Sequence, residues 1–551
     1  MTGQYPTIID KFCEFESSRA GKLFLAEPVK GVYRNFTWQQ AGEEVRRMAA
    51  ALKQMGLGKN DKVAILSKNC AHWIMTDLAI AMAGCISVPL YPNITPEALN
   101  EIILHSESKA IFIGKLDNPE ELRKGVPDDL IRITFPFYPN ADCLNWDDLV
   151  KDIEPLQGKP DIDPHSLACI VYTSGTTGQP KGVMHTFHAV GFAVNSFLIS
   201  YPDINEEIFF SYLPLCHVAE RMLVECGAVF TGSSVYFVES MDTFAKNLSD
   251  TRPTVFLAVP RIWEKLQEGV LKKMPQKKMD RLLAIPIVSS IIKKAIRKKL
   301  GLSRAEFIFT GASPINPAVL RWFAKLGIII QEAYGMTENV ALSHSNRKGA
   351  VRFGTVGQSY EGVEVRLGKD NEVQVKSDAT MLGYYKEPAL TAECFEDGFL
   401  RTGDEGSIDA DGFLTITGRI KDQFKTSKGK YIMPAPIESK FLQNPQLAQV
   451  CVVGSGLPNA IALCTLSEAA RSYAKETLAG ILREIIASVN KGLEHHEQLA
   501  RLIVLPEEWT VANGLLTPTL KIKRKIIEET FGDRYKNWLQ NADTVIFAFS
   551  E

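Results

Sequence analysis

The first part of the chain alternates stretches of helical periodicity with short apolar runs. Residues 43–56 carry apolar side chains at helical spacing and end at a glycine, whereas residues 61–68 form a short apolar run typical of a strand. The same alternation continues through residues 73–91 and 96–114, and it resumes after residue 166. This rhythm predicts parallel βαβ units in a doubly wound sheet, and therefore an α/β fold.

A different pattern begins near residue 350. Residues 354–377 and 397–419 alternate apolar and polar side chains between frequent turn residues, which predicts short antiparallel strands and a small β-barrel. Beyond Arg419 the pattern is mixed again and ends in a charged helical segment. We therefore place a domain boundary near Lys421, between an N-terminal domain of residues 1–420 and a C-terminal domain of residues 421–551.

Composition and charge exclude several classes of protein. A chain of 551 residues is too long for one ordinary domain, and a composition of 45% hydrophobic and 23% charged residues is that of a globular protein. The formal net charge of -2 gives no global field, so we expect no nucleic-acid partner. The ten cysteines are scattered without a C-x-x-C pair, so we expect reduced thiols and a cytoplasmic location. No stretch of about 20 apolar residues indicates a membrane-spanning helix.

The segment at residues 172–183 has the composition of a phosphate-binding loop. Glycines let backbone N–H groups approach an anion, hydroxyls donate to phosphate oxygens, and a lysine adds positive charge. It differs from the Walker P-loop because Pro180 stands where that pattern needs its second glycine. The alternative is an ordinary polar hairpin. The residues of the candidate loop are Thr173, Ser174, Gly175, Thr176, Thr177, Gly178 and Lys181.

Further polar segments follow this loop along the chain. They are residues 213–221 (LPLCHVAER), 310–314 (TGASP), 331–338 (QEAYGMTE), 402–404 (TGD), 418–419 (GR) and 516–525 (LTPTLKIKRK). With the loop and in this order, they resemble the adenylate-forming superfamily, which includes acyl-CoA synthetases, luciferases and the adenylation domains of peptide synthetases. The TPTxK form of the last segment is similar to long-chain fatty acyl-CoA synthetases.

The resemblance implies a fold and an activity. The expected fold is a large N-terminal domain of two doubly wound α/β subdomains plus a β-barrel, followed by a small mobile α+β C-terminal domain. The expected reaction converts a carboxylic acid, a long- or medium-chain fatty acid, to acyl-AMP with ATP and Mg²⁺, and then to acyl-CoA with coenzyme A. Two alternatives stay open: an acyl-AMP ligase that loads the phosphopantetheine of a carrier protein, and a non-catalytic nucleotide-binding relative.

The resemblance also implies which residues bind the nucleotide. Adenine would lie along the loop of residues 310–314 and stack on Tyr334. The ribose would contact Asp404 and Arg419, and the α-phosphate would contact Thr337. Magnesium would be held at Glu338 and Thr173, since a hard cation suits oxygen ligands. The remaining expected nucleotide contacts, besides the phosphate loop, are Gly311, Ala312, Ser313, Gln331, Gly335 and Lys521.

Catalysis is expected to involve Lys521, His217 and Thr337. Lys521 would act on the developing phosphoryl charge, with Lys523 as the alternative lysine, and Lys421 would be the hinge between the domains. His217 would lie between the nucleotide and the acyl group, although a packed core histidine is the alternative interpretation. The basic loop after Lys421 would approach the thiol in the second half-reaction; the alternative is an exposed basic hairpin.

A strongly basic stretch occupies residues 272–299. It holds ten lysines and arginines and a single acid, Asp280, around an apolar middle that is too short to span a membrane. This composition indicates either a solvated helix face or a peripheral contact with an anionic membrane, at the inner membrane surface. Chain length of the acid and the choice between a monomer and a homodimer stay open.

Overall fold

The computed structural model describes residues 5–140, 142–174, 180–511, 513–517 and 521–548. The chain forms two compact units, which are described separately. The first contains residues 1–365 and 375–400, and the second contains residues 366–374 and 401–551.

Helices occur throughout both units. Residues 218–231 form one continuous helical segment in which Arg221–Cys226 makes a π-helical turn, and short 3₁₀ turns occur at Thr337–Asn339 and Ile420–Asp422. The α-helices are α1 Ile8–Ser18, α2 Trp38–Gln54, α3 Ala71–Ala83, α4 Pro96–Ser106, α5 Pro119–Arg123, α6 Trp146–Lys151, α7 Phe187–Ser200, α8 Val218–Glu220, α9 Gly227–Thr231, α10 Phe244–Thr251, α11 Pro260–Lys273, α12 Gln276–Leu283, α13 Pro286–Lys299, α14 Pro317–Lys325, α15 Pro388–Glu393, α16 Pro434–Phe441, α17 Glu468–Arg471, α18 Lys475–Lys491, α19 Arg524–Phe531 and α20 Tyr535–Gln540.

The strands of the first half of the chain are β1 Leu23–Val29, β2 Val32–Thr37, β3 Lys62–Leu66, β4 Ile86–Leu90, β5 Ser108–Ile113, β6 Ile131–Thr134, β7 Leu144–Asn145, β8 Leu167–Ser174, β9 Pro180–Thr186, β10 Ile208–Ser211, β11 Ser234–Phe237 and β12 Val255–Leu257. The later strands are β13 Phe307–Thr310, β14 Gln331–Tyr334, β15 His344–Ser345, β16 Gln358–Ser359, β17 Glu364–Leu367, β18 Glu372–Lys376, β19 Gly383–Tyr384, β20 Phe395–Glu396, β21 Phe399–Ile408, β22 Leu414–Arg419, β23 Phe424–Lys425, β24 Tyr431–Ile432, β25 Leu447–Val453, β26 Ile461–Leu466, β27 Arg501–Val504 and β28 Val545–Phe547.

Two large sheets, each with a parallel core, form the framework of the first unit. One has the order β16-β15-β14-β13-β12-β10-β11-β1-β2, and the strands from β14 to β1 are parallel. The other has the order β19-β9-β8-β4-β3-β5-β6-β7, and the strands from β8 to β7 are parallel. The doubly wound α/β architecture predicted from the alternating pattern is confirmed, because helices follow most of these strands.

Local sequence signals define the helices that cover these sheets. Thr7 and Thr37 begin α1 and α2, and both residues form complete capping boxes with the third residue of the helix. Gly84 ends α3 in the left-handed region at φ 84°. The side chains of α3 are buried on every face of the helix, which places this apolar helix in the interior of the first unit.

The short strands predicted after residue 350 are present as small antiparallel elements. β16 pairs antiparallel with β15 at one end of the nine-stranded sheet, and a smaller sheet has the order β17-β18-β21-β20 with β22 paired antiparallel to β21. The second compact unit includes residues 366–374 in addition to the chain from residue 401 onwards. Hydrogen bonds from Arg401 Nε to Glu372 Oε2 (2.8 Å) and from Thr402 Oγ1 to the Val373 carbonyl (2.6 Å) hold residues 366–374 to the strand that begins the second unit.

The second unit is built on the sheet β25-β26-β27-β28, with apolar clusters on both faces. A half-buried ion pair ties α19 to α16: Arg524 Nη1 lies 2.8 Å from Glu438 Oε1, and the same guanidinium donates to the Val452 carbonyl at 2.5 Å. Glu438 also accepts from the Val452 N–H at 2.7 Å. This network fixes the start of α19, which directly follows Lys521 and Lys523 in the chain.

Candidate active site

The predicted adenine loop and the QEAYGMTE segment lie side by side at the carboxyl ends of two parallel strands. In the register of β13 and β14, Thr310 pairs with Glu332. Gly311 follows β13, and a β-carbon there would lie 2.9 Å from the Ala333 carbonyl oxygen, so the two segments are in close backbone contact. In open α/β sheets, ligands bind at this edge.

The turn after β14 has a tightly constrained backbone. A β-carbon at Gly335 would lie 2.3 Å from the backbone of Ala341, so only glycine fits there. Val340 and Ala341 both have positive φ, at 53° and 57°. Asn339 stabilises the turn, since its Oδ1 accepts from the Met336 N–H at 2.9 Å. We call residues 335–341 the site turn.

A buried histidine on β9 holds the first part of the site turn. His185 Nε2 donates to the Thr337 carbonyl at 2.8 Å. Burial lowers the pKa of His185 to about 4, so the imidazole is neutral near pH 7 and keeps this donor role. His185 belongs to none of the sequence segments that predicted the site, so the sequence alone does not point to it. It reaches the site turn because it lies on β9, which pairs with β8.

A tyrosine on β19 connects the predicted magnesium ligand with the phosphate-loop lysine. The Tyr384 hydroxyl donates to Glu338 Oε1 at 2.6 Å, and Lys181 Nζ lies 5.6 Å from the centre of the Tyr384 ring. Burial and the neighbouring Glu338 carboxylate raise the pKa of Tyr384 above its usual range, so the hydroxyl stays protonated and remains a donor. Sequence reasoning missed Tyr384, because β19 reaches the site only by pairing with β9.

The phosphate-binding segment is only partly described. Thr173 and Lys181 are cross-strand partners at the ends of β8 and β9, and thus flank the connection between these strands. Gly175, Thr176, Thr177 and Gly178, which were predicted to contact phosphate, lie outside the described residues, and so does the side chain of Ser174.

Three buried polar atoms near the ends of β13 and β14 have no hydrogen-bond partner within the described part of the chain. They are Thr310 Oγ1, Gln331 Oε1 and Glu332 Oε2. Burial raises the pKa of Glu332 to about 8, so this carboxyl is protonated near pH 7. Because buried polar groups normally have partners, these atoms are suited to a ligand with hydrogen-bonding groups.

The predicted adenine-contacting loop is exposed to solvent. Ala312 and Ser313 are exposed, and Ala312 has a positive φ of 66°. Tyr334 is half-buried, with its ring centre 6.2 Å from that of His344. These positions leave the edge next to the site turn accessible to a planar group.

His217 is half-buried and begins the helical segment 218–231. Its Nδ1 accepts from the Ala219 N–H at 3.2 Å, as an N-cap residue does. The loop before it is fixed by Asn69, which donates to the Leu213 carbonyl at 2.6 Å and accepts from the Leu215 N–H at 3.1 Å.

In the second unit, the two predicted ribose contacts are neighbours. Asp404 and Arg419 are cross-strand partners on β21 and β22, and Arg419 Nε lies 2.9 Å from Asp404 Oδ1. Lys421 follows in a 3₁₀ turn and is exposed. The basic loop beyond it forms the antiparallel hairpin β23–β24, in which the exposed lysines are Lys425, Lys428 and Lys430.

The two candidate catalytic lysines lie just before α19 in the chain. Thr517 N–H donates to the Lys521 carbonyl at 2.8 Å, and Lys521 N–H donates to Thr517 Oγ1 at 3.0 Å. Lys521 is exposed, whereas Lys523 is half-buried. These two hydrogen bonds thus fix Lys521 relative to Thr517, and the Lys521 residue is accessible to solvent.

A magnesium ion would have few protein ligands. The residues that the structure describes contain no group of three or more histidine, cysteine, aspartate or glutamate side chains that could hold a metal. Mg²⁺ commonly uses one or two carboxylates together with substrate phosphates. The half-buried Glu338 fits that donor set.

Comparison with known proteins agrees with this arrangement. Residues 17–385 match the family of AMP-binding enzymes, and residues 421–541 match the AMP-binding enzyme C-terminal domain. A long-chain-fatty-acid–CoA ligase, FadD15 of Mycobacterium bovis, is 28% identical over 96% of this chain and 96% of its own length. The long-chain-fatty-acid–CoA ligase ACSBG2 of Xenopus laevis is 27% identical over 98% of this chain and 84% of its own length.

Solved structures show the same fold. An anthranilate CoA ligase in complex with anthranoyl-AMP has a TM-score of 0.81 and 21% identity, over 97% of this chain and 99% of its own. The adenylation domain of a carboxylic acid reductase from Segniliparus rugosus, in complex with AMP and a carboxylic acid, has a TM-score of 0.80 and 21% identity, over 97% of this chain and 94% of its own. The chain therefore belongs to the AMP-binding enzyme family.

Proposed function

We propose that this protein is an acid–thiol ligase that activates a long- or medium-chain fatty acid. The substrate carboxylate attacks the α-phosphorus of ATP, pyrophosphate leaves, and the acyl adenylate then transfers its acyl group to the thiol of coenzyme A while AMP leaves. The observation that carries this proposal is the match to two long-chain-fatty-acid–CoA ligases along nearly the whole chain, together with the site turn at the strand ends.

The α-phosphate of ATP is proposed to bind at the site turn. Thr337 lies at the start of a 3₁₀ turn, and His185 anchors its backbone through the carbonyl, so the position of this residue in the turn is fixed. Preorganised donors aimed at developing charge are a major source of catalysis. Lys181, together with the loop that it flanks, is the proposed partner of the outer phosphates.

Glu338 is the proposed protein ligand of magnesium, with Thr173 as a second candidate. The Tyr384 hydroxyl orients the Glu338 carboxylate, as partners of metal ligands commonly do. When bound, Mg²⁺ would neutralise phosphate charge and favour departure of pyrophosphate.

A narrow cavity behind His185 is the proposed entrance of the acyl chain. It is lined mainly by apolar side chains, with the buried Asp77–Arg221 ion pair on one wall. Its volume of about 30 Å³ holds roughly one water molecule, so the lining side chains must move before an acyl chain can enter. The site turn contributes Val340 to the lining of this cavity, and the helical segment 218–231 contributes Val218 and Met222 among others.

Coenzyme A is the preferred acceptor, because both long-chain relatives above are named as CoA ligases. A carrier protein is the second candidate, since a similar structure contains the adenylation and carrier-protein domains of a carboxylic acid reductase. The proposed second-step residues are Lys425, Lys428 and Lys430 on the hairpin after Lys421.

Membrane association is proposed to be peripheral. None of the helices within the described ranges combines the length and the apolar character needed to cross a bilayer. We propose that the basic segment 272–299 contacts an anionic membrane surface, at the cytoplasmic face, where a fatty acid would be concentrated. A monomer and a homodimer are both compatible with this role.

Substrate selection tests the proposal most simply. With saturated acids of two to eighteen carbons and with benzoate, we expect acid-dependent release of pyrophosphate that is greatest for medium or long aliphatic acids. Addition of coenzyme A should give an acyl-CoA and AMP in equal amounts. Activity confined to benzoate or amino acids would contradict the fatty-acid assignment, and acyl transfer only to a carrier protein would favour the second acceptor.

The role of Tyr384 gives a second prediction. Tyr384→Phe keeps the ring beside Lys181 but removes the donor to Glu338, so adenylate formation should fall about 10- to 100-fold, with a higher Mg²⁺ requirement. The matched control is Tyr385→Phe, which removes an exposed hydroxyl that donates to Glu107 and should change the rate little. Equal rates in both variants across a Mg²⁺ titration would show that Tyr384 does not orient Glu338.

The two half-reactions should respond differently to changes in the second unit. Lys521→Ala should slow adenylate formation by about 100-fold or more, because a charged transition-state contact is lost, while thioester formation from supplied acyl adenylate is nearly spared. Lys421→Pro, which stiffens the proposed hinge, should do the reverse. Rapid-quench assays starting once from acid plus ATP and once from adenylate measure both steps. Equal losses in both steps for Lys521→Ala would contradict this division of roles, and the expected pattern in Lys523→Ala alone would identify Lys523 as the catalytic lysine.

A further inference from the structure

The basic segment 272–299 folds as helices with one buried side. α12 and α13 are joined by a short connection, and Met279, Ser289 and Ile296 point into the protein. Met279 and Ile296 belong to an apolar cluster that includes Trp263 and Phe323. These helices are therefore part of the folded first unit, and their other side faces solvent.

Three large apolar side chains stand on the solvent side. Ile285, Ile287 and Ile291 are 51%, 77% and 64% exposed, and they lie within seven residues at the junction of α12 and α13. Ile287 is the most exposed large apolar side chain in the part of the chain that the structure describes. Residues 287 and 291 are one helical turn apart and share a face of α13. We call these three residues the isoleucine corner.

Basic side chains surround the isoleucine corner. Along the face of α13 that begins with Ile287 and Ile291, the next exposed positions are Lys294 and Lys298. Among the described residues, no ion pair involves any lysine of the segment. The exposed cations of the segment are Lys272, Lys273, Lys277, Lys278, Arg281, Lys294, Lys298 and Lys299.

We infer that the isoleucine corner inserts into the acyl region of an anionic bilayer while the surrounding lysines contact lipid headgroups. This inference rests on the membrane contact proposed above and specifies how it is made. The partner follows from the charge and the polarity of this surface. Cations without ion-pair partners among the described residues favour an anionic surface, and the apolar side chains among them favour a surface that can also bury apolar groups. A purely electrostatic contact would leave the three isoleucines in water.

The arrangement predicts a contact with two components. Salt weakens attraction between exposed charges but leaves apolar burial nearly intact. Binding to anionic vesicles should therefore decrease with salt to a residual level. Replacing Ile285, Ile287 and Ile291 together with serine should reduce vesicle affinity at least about tenfold and abolish the residual level. The fold should tolerate this change, because the three side chains are exposed.

A tryptophan placed at the corner tests insertion directly. Ile287→Trp should lose fluorescence on vesicles that contain anionic lipid with brominated acyl chains, because bromine quenches only nearby indoles. The native tryptophans give a low background, since all seven are at most 6% exposed. The matched control is Ile199→Trp on α7, where the isoleucine is 62% exposed but no basic run surrounds it. Quenching at position 287 and not at 199 is expected; equal quenching at both positions would overturn the inference.

Two further measurements distinguish a failure of the membrane contact from a failure of insertion. The charge variant, with Lys294, Lys298 and Lys299 replaced by glutamate, should sediment with anionic vesicles no better than the native protein does at high salt, and it should keep adenylation of a soluble short acid. Absence of any vesicle binding by the native protein would overturn the membrane contact itself, whereas binding without quenching at position 287 would overturn insertion alone. A lipid-free dimer that the serine variant abolishes would assign the corner to a second copy of the chain and overturn the inference.

Discussion

The site depends on one constraint: the backbone of residues 335–341 must leave the end of β14 and turn back on itself within seven residues. Only glycine fits at position 335, and Val340 and Ala341 occupy positive-φ conformations that cost free energy. Neighbouring structure compensates for this strain. His185 fixes the turn through the Thr337 carbonyl, and Tyr384 fixes the carboxylate of Glu338.

The hydrogen bonds from His185 and Tyr384 connect the two large sheets of the first unit. The turn belongs to the nine-stranded sheet, whereas His185 and Tyr384 belong to β9 and β19 of the eight-stranded sheet. The same β8–β9 pair carries Thr173 and Lys181 beside the phosphate-binding segment. The β8–β9 hairpin therefore carries proposed phosphate contacts and His185, while Tyr384 lies on β19, which pairs with β9. A change in the position of this hairpin would thus affect the proposed phosphate contacts and the site turn together.

The sequence predicted the parallel α/β architecture, which the structure confirms, because it is encoded locally in periodicity. The proposed nucleotide contacts likewise come from short local strings such as QEAYGMTE. It did not predict His185 or Tyr384. The partners in these contacts are 152 and 46 residues apart along the chain, and neither residue has a motif of its own. The exposure of Ile287 was also beyond prediction, because the apolar run 282–292 has no periodicity that separates its buried from its exposed members. The association of residues 366–374 with the strand that follows residue 398 depends on hydrogen bonds such as that of Arg401 to Glu372, which no local pattern shows.

The central claim is that the reacting phosphate binds at the site turn. A crystal structure with a non-hydrolysable acyl-adenylate analogue tests this claim most directly. The account predicts that the phosphoryl-equivalent group lies within hydrogen-bonding distance of Thr337, with the adenine between residues 311–313 and Tyr334. It also predicts that the hydrogen bonds from His185 and Tyr384 to the turn are retained. A nucleotide bound away from the carboxyl ends of β13 and β14 would contradict the account.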